Sequence, residues 1–475
     1  MIPLNKKNDS LFLRLSIPFI LFYIFFMRLF TEEFPLLPRF AQLTDKPLII
    51  ICLLFLILFL PKIMYLDLYG FGPILSLLLL SYLLSAIFNY KNQSFFPLAS
   101  HFILFWGPFI WFITLIFFKT SQGYLKKIVK YFIVLLFLEV IVGIILLPEG
   151  LQTPDLLRGT FGYGYKQLVF YYLFLAVILL GWFIYNHSKQ FPKWIIPITI
   201  NFLAARMLIV YPAYFLSLFS TYALAKQRKN LILPAIIISS IFLIIFINWS
   251  FLIEYSSDTY QFDKLTETLT NFFQVFPKTG IIRSFVGWLN MLSDYPLKIF
   301  FGTGPATFGS RAFTNIYVAS DAASNVTANL FTRPPTPAIA LNYLLPARMS
   351  GLGSGTVTQP FNSYVGVIGE LGIIGGTFFL LIYIKVIKDF LLICKESFSS
   401  YLKGLAIGCI GAIIFLAQMS LFYDFFAIER INLGLWLIIA IVYKLRDYEK
   451  QEAQNNKNKS TFYPKYSGSL PRTII

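Results

Sequence analysis

Arginines and one deeply placed glutamate are the reactive side chains that stand out from a mostly apolar chain. Arg206 interrupts a long apolar run in Ala204-Ala-Arg-Met207. Arg283 opens Arg283-Ser-Phe-Val-Gly-Trp288, which leads to Asp294-Tyr-Pro296 and then Gly302-Thr-Gly-Pro305. Arg158 begins a glycine-rich stretch that ends at Gly164, and Arg311, Arg333 and Arg348 follow the Gly302 turn. A guanidinium is a planar fork of donors that matches phosphate oxygens. Placing one inside an apolar run costs on the order of 2.5–3.5 kcal/mol on the gentlest scale. Together these residues point to an anionic ligand, phosphate above all. Each has a plainer duty as well: Arg206 snorkelling to head groups, Arg283 solvated on a helix's polar face, Arg158 in a flexible connection.

Glu370 lies inside a predicted span, seven residues after Ser363. That spacing puts the two on one helix face, with Glu370 about 10 Å deeper. A carboxylate at such depth is costly and marks a functional position, unless it makes a packing hydrogen bond to a neighbouring helix. Gly302 and Gly304 with Pro305 form a tight turn whose backbone amides can approach a ligand, although turns use glycine for their own reasons. The two histidines are His101, in a span, and His187, in a cytoplasmic loop; by topology neither is available as a base at the outer face. Cys52, Cys394 and Cys409 form no CxxC pair and no cluster with histidine, so neither a disulfide framework nor a metal site is expected.

The elements that must position these residues are membrane helices. The chain of 475 residues is 57% hydrophobic and 13% charged, with mean hydropathy +0.71, too apolar for a soluble domain. Thirty-nine Lys and Arg against 22 Asp and Glu give a net charge of +17. The excess sits in short loops on one side, the positive-inside pattern, which disfavours nucleic acid as a partner. The expected fold is all-α and polytopic, with about twelve transmembrane helices by apolar length. Spans one to nine occupy residues 1–253, spans ten to twelve residues 362–443, and a Lys/Asn/Glu/Gln-rich tail, 444–475, is expected to be cytoplasmic and disordered. Both termini are expected in the cytoplasm. Between helices nine and ten lies one large extracytoplasmic loop, 254–361. Within it Ile281, Ile282, Phe285, Val286, Leu289 and Leu292 recur at helical spacing, which predicts an amphipathic helix on the membrane surface.

In order, spacing and topology, the stretch from about 150 to 385 resembles the O-antigen ligase and O-antigen polymerase superfamily of bacterial membrane enzymes. Arg206 resembles the family's mid-chain arginine. Arg283, Trp288, Pro296 and Gly302-Thr-Gly-Pro305 resemble its Arg…Trp…Pro…GxGP segment. Phe361-Asn-Ser-Tyr364 and Glu370-Leu-Gly-Ile-Ile-Gly375 resemble its His-Asn-x-Tyr stretch and the Glu-x-Gly-x-x-Gly helix after it. The resemblance implies an inner-membrane glycosyltransferase that uses an undecaprenyl-pyrophosphate-linked oligosaccharide at the periplasmic face, without metal or other cofactor. It also implies contact with membrane lipid and a chain-length regulator protein as a further partner. Arg206 and Arg283 would stabilise the pyrophosphate leaving group. Arg158, Trp288, Asp294, Gly302, Gly304, Arg311, Asn362 and Tyr364 would bind substrate. Phe361 departs from the family: it stands where the ligases carry a histidine, and it cannot take a proton. That favours polymerase over ligase and leaves three alternatives: a carboxylate such as Glu370 or Asp294 activates the acceptor, activation of the leaving group suffices, or this member is inactive. A ligase acting on lipid A-core and a lipid-linked oligosaccharide transporter are the alternatives.

Overall fold

The computed structural model describes residues 10–28, 30, 36–37, 45–64, 68–145, 176–184, 210–225, 280–313, 336–349, 362–421 and 429–462. All regular structure among them is helical. The principal helices are α1 (Leu11–Arg28), α2 (Asp45–Leu58), α3 (Gly72–Phe88), α4 (Phe95–Phe117), α5 (Gln122–Ile145), α6 (Val210–Ala225), α7 (Gly280–Asp294), α8 (Ser363–Glu396), α9 (Ser400–Met419) and α10 (Glu429–Phe462). Three of them, α4, α8 and α9, are long and apolar enough to cross a membrane. Segments 11–27, 46–58, 72–88 and 213–225 are shorter apolar helices. The expected spans at 231–253 and around Arg206 lie outside the described residues.

Aromatic side chains knit the bundle together. Trp111, Trp436 and Tyr443 are fully buried. Trp436 of α10 meets Phe109 and Phe112 of α4 edge-on, with ring centroids 5.0 and 5.1 Å apart. Such edge-to-face contacts suit a helix interface in lipid, where packing rather than water exclusion holds helices together.

Two expectations about the last helices are corrected. By apolar length the tenth span is expected over 362–384, with Lys385, Lys388, Lys395 and Lys403 in a cytoplasmic loop. Instead it runs on as helix to Glu396, so Lys385, Lys388 and Lys395 sit on α8. Lys385 pairs there with Asp389 at 3.0 Å, one turn on. The tail expected to be disordered from 444 continues α10 to Phe462. Its first turns are tied down. Lys444 donates to the Phe118 carbonyl and, at 2.6 Å, to Thr120 Oγ1. Glu449 Oε1 accepts from Ser397 Oγ (3.0 Å), Phe398 N (2.6 Å) and Ser399 N (2.8 Å), closing the turn between α8 and α9.

Near its start α8 is broken. Gly372 has φ 72° and ψ 177° inside the helix, and this kink faces the loop 302–310. That loop follows α7 and a short helix, Lys298–Phe301. A π turn, Ala340–Leu344, packs beside α7.

Candidate functional site

The site is built where the broken helix meets the glycine turn. Gly369 O and Glu370 O, just before the kink, face the loop. Gly369 O accepts from Thr303 N at 2.8 Å and Thr303 Oγ1 at 3.1 Å. Glu370 O accepts from Gly304 N at 3.0 Å and Ser85 Oγ of α3 at 2.7 Å. A carbonyl has two lone pairs, so both are filled. At membrane depth an unfilled carbonyl would cost several kcal/mol.

The Glu370 side chain is gripped by the same loop. It is fully buried. Its Oε2 accepts from Ala306 N at 2.7 Å, and its Oε1 from Phe308 N at 2.9 Å and Ser310 N at 3.1 Å. The fourth partner is His101 of α4, whose Nε2 lies 3.0 Å from Oε2. The other three partners are all donors, so the one proton between Oε2 and Nε2 makes a hydrogen bond whichever atom carries it. On the far side of the ring, His101 Nδ1 is 3.2 Å from the Tyr82 hydroxyl, which also reaches Leu98 O at 3.5 Å. Every lone pair of the carboxylate is used. In this arrangement the role Glu370 supports is holding the loop, not taking a proton from an acceptor.

His101 is the residue that topology alone missed. It enters α4 six residues after Phe95, Glu370 enters α8 seven after Ser363, and Tyr82 stands six before the end of α3 at Phe88. All three therefore sit about 10 Å below the same end of the bundle. Matching the depths of intramembrane polar residues would have paired them.

The glycine turn differs in role from a ligand cradle. Gly302 N donates to Lys298 O at 2.8 Å, and the Thr303 and Gly304 amides are spent on α8. Asn89 Nδ2 reaches Gly302 O at 3.3 Å, while Asn89 Oδ1 accepts from Lys298. Burial lowers the pKa of that lysine's ammonium group.

Helix α7 presents three faces. Ser284, Gly287 and Met291, with Trp288 at the edge, pack onto the protein, where Met291 and Trp288 join Phe308, Phe313 and Leu344 in a small apolar cluster. Phe285 and Leu289 point outward, 42% and 45% exposed. Asn290, Ser293 and Asp294 form the polar face, which Arg283 borders beside Gly287, one turn away. So the amphipathic helix exists, but Phe285 and Leu289 of the stripe that identified it face away from the protein, while Leu292 packs on the small cluster. Arg283 Nε and Trp288 Nε1 are buried with no hydrogen-bond partner among the described residues, as are the indole nitrogens of Trp106, Trp111 and Trp436. At the end of the helix Asp294 Oδ2 accepts from the Tyr343 hydroxyl at 2.6 Å. That bond leads the causes that push the phenol up to about 12, so it stays a donor at neutral pH.

The remaining expected site residues divide clearly. Arg158, Arg206 and Phe361 lie outside the described residues, as do the side chains of Arg311 and Arg348. Asn362, at φ 60°, caps α8, its Oδ1 accepting from Val365 N at 3.2 Å. The Tyr364 hydroxyl donates to Ala417 O of α9 at 2.8 Å. Gly302, Gly304 and Glu370 are brought together; Asn362 and Tyr364 serve helix ends and helix contacts. No protein-family model matches the chain, and no curated protein matches it in sequence.

Proposed function

We propose that this chain is a polysaccharide polymerase of the inner membrane, moving glycan from an undecaprenyl-pyrophosphate donor to the acceptor sugar of another lipid-linked repeat unit at the periplasmic face. The observation that carries this reading is the Arg283 guanidinium, with a buried Nε unpartnered among the described residues. Its helix has one exposed apolar face, one face packed on the protein and one polar face. Breaking a glycosyl–phosphate bond builds negative charge on the leaving phosphate, and an arginine already fixed in place stabilises that charge without reorganisation. An unused buried donor is costly to keep unless a ligand takes it up. The resemblance of the Arg283–Pro305 segment to the O-antigen polymerases gives the substrate class.

The test is reconstitution of the purified protein with undecaprenyl-pyrophosphate-linked repeat units, read as a gel ladder. A ladder from the native chain, lost in Arg283→Ala while insertion is normal, is the expected result. Undiminished chain length in Arg283→Ala would remove the main support. Transfer that needs added lipid A-core would make the protein a ligase instead, and movement of substrate across liposomes without transfer would make it a transporter.

A further inference from the structure

Resting on the polymerase reading, we propose that His101 is a positioning residue for Arg283, acting through Glu370 and the loop 302–310. The path is continuous. Tyr82 and His101, from α3 and α4, fix one oxygen of the Glu370 carboxylate. The carboxylate fixes the amides of Ala306, Phe308 and Ser310. Ser310 Oγ then accepts from Phe313 N at 3.2 Å. Phe308 and Phe313, both fully buried, form the floor on which Met291 and Trp288 of α7 rest. Arg283 is carried on that helix.

Among the described residues His101 is the only side-chain partner of the carboxylate; the other three are backbone amides that belong to the loop itself. Without it, the loop and Glu370 would still bind one another, but nothing at that carboxylate would tie them to α3 and α4. The Ser85 bond to the Glu370 carbonyl, the contacts of Asn89 with Gly302 O and Lys298, and the packing of Leu104 on Ala306 and Ala312 would remain as the other ties to α3 and α4. The stance of α7 would then be held through the loop by these weaker ties. His101 touches no substrate in this account.

The experiment uses the full chain in lipid nanodiscs, with His101→Leu, His101→Gln and the milder Tyr82→Phe. Hydrogen–deuterium exchange of the 302–310 amides reports the loop, and the polymer ladder reports the reaction. Losing this buried hydrogen bond should speed exchange of the Ala306, Phe308 and Ser310 amides by about tenfold to a hundredfold. His101→Leu is expected to show this together with a shortened ladder. His101→Gln, whose amide can again donate to Glu370, is expected to restore both. Tyr82→Phe should show a smaller change of the same sign, which keeps the test decisive if the leucine variant does not fold. Unchanged exchange in His101→Leu would overturn the proposal, as would fast exchange with an undiminished ladder. No ladder from the native chain would instead sink the polymerase reading, and a full ladder from Arg283→Ala would remove the role of Arg283, while the exchange data still judged the link from His101 to the loop.

Discussion

Gly302 and Gly372 meet backbone to backbone, both in the left-handed region at φ 68° and 72°. A Cβ on Gly302 would lie 2.5 Å from Gly372 N, and one on Gly372 would lie 2.6 Å from Phe301 N. The neighbours are backbone atoms, which cannot rotate aside. With ψ at −167° and 177°, both occupy a region essentially reserved for glycine, so Gly302→Ala and Gly372→Ala should each lose about 1–3 kcal/mol from backbone strain alone, with the clash added. Thermal unfolding in detergent should show a large drop for both. A variant that melted with the native chain would mean the clasp opens freely.

Glu370→Gln replaces an acceptor by a group with donors, facing three backbone N–H groups and His101. Leaving buried donors without their acceptor costs about 1–3 kcal/mol for each group. Ser85→Ala, which removes one neutral bond to the Glu370 carbonyl, should cost about 1 kcal/mol. The expected order in unfolding midpoint is native, then Ser85→Ala, then Glu370→Gln. Equal midpoints for the two variants would contradict the geometry.

Tyr343 should be the tyrosine whose titration follows Asp294. Its hydroxyl, held up to about 12 by that carboxylate, gives up its proton only at high pH. Asp294→Asn removes the charged acceptor and should lower that pKa toward the ordinary phenol value of about 10. At about pH 11 the variant should therefore absorb as if it carried more tyrosinate than the native chain. Adding Tyr343→Phe should erase the difference.

The far end of the bundle makes its own prediction. Glu449 closes the α8–α9 turn with three hydrogen bonds, and Arg446 adds a pair to Glu396 at 3.2 Å. Glu449→Ala should cost about 1–3 kcal/mol for donors left unmet. A chain stopped after Glu452 should melt with the native chain, and one stopped after Tyr443 should not. Equal stability of the two would show the tail to be dispensable.

What could be read from the sequence was what depends on local periodicity and composition. Helix α7 was legible because Phe285 and Leu289 repeat at helical spacing, and α3, α4 and α5 because apolar runs of that length have little else to be. The protein-facing side of α7 was not legible. It is made of Ser284, Gly287 and Met291, whose packing depends on a π turn some 50 residues away in sequence. The duty of Glu370 was half legible: its cost announced a partner, but the partner sits in α4. The tail misled because polar composition ordinarily means disorder, whereas Lys444, Tyr448 and Glu449 reach back to Thr120 and the α8–α9 turn. Arg158 and Arg206 remain expectations, outside the described residues.

The grip on Glu370 has a rhythm of two. From Gly304 to Ser310 the amides of residues 304, 306, 308 and 310 donate to this one glutamate, the first to its carbonyl and the rest to its carboxylate. The peptide at 305 is not called upon, and there the chain has Pro305, which has no N–H to give. The loop is thus spelled in alternate peptide groups, with side chains almost incidental to the reading. Proline is forbidden at the even positions of this stretch whatever the reaction turns out to be. Replacements that keep each N–H in place have far more latitude, up to the limit of the space around Phe308.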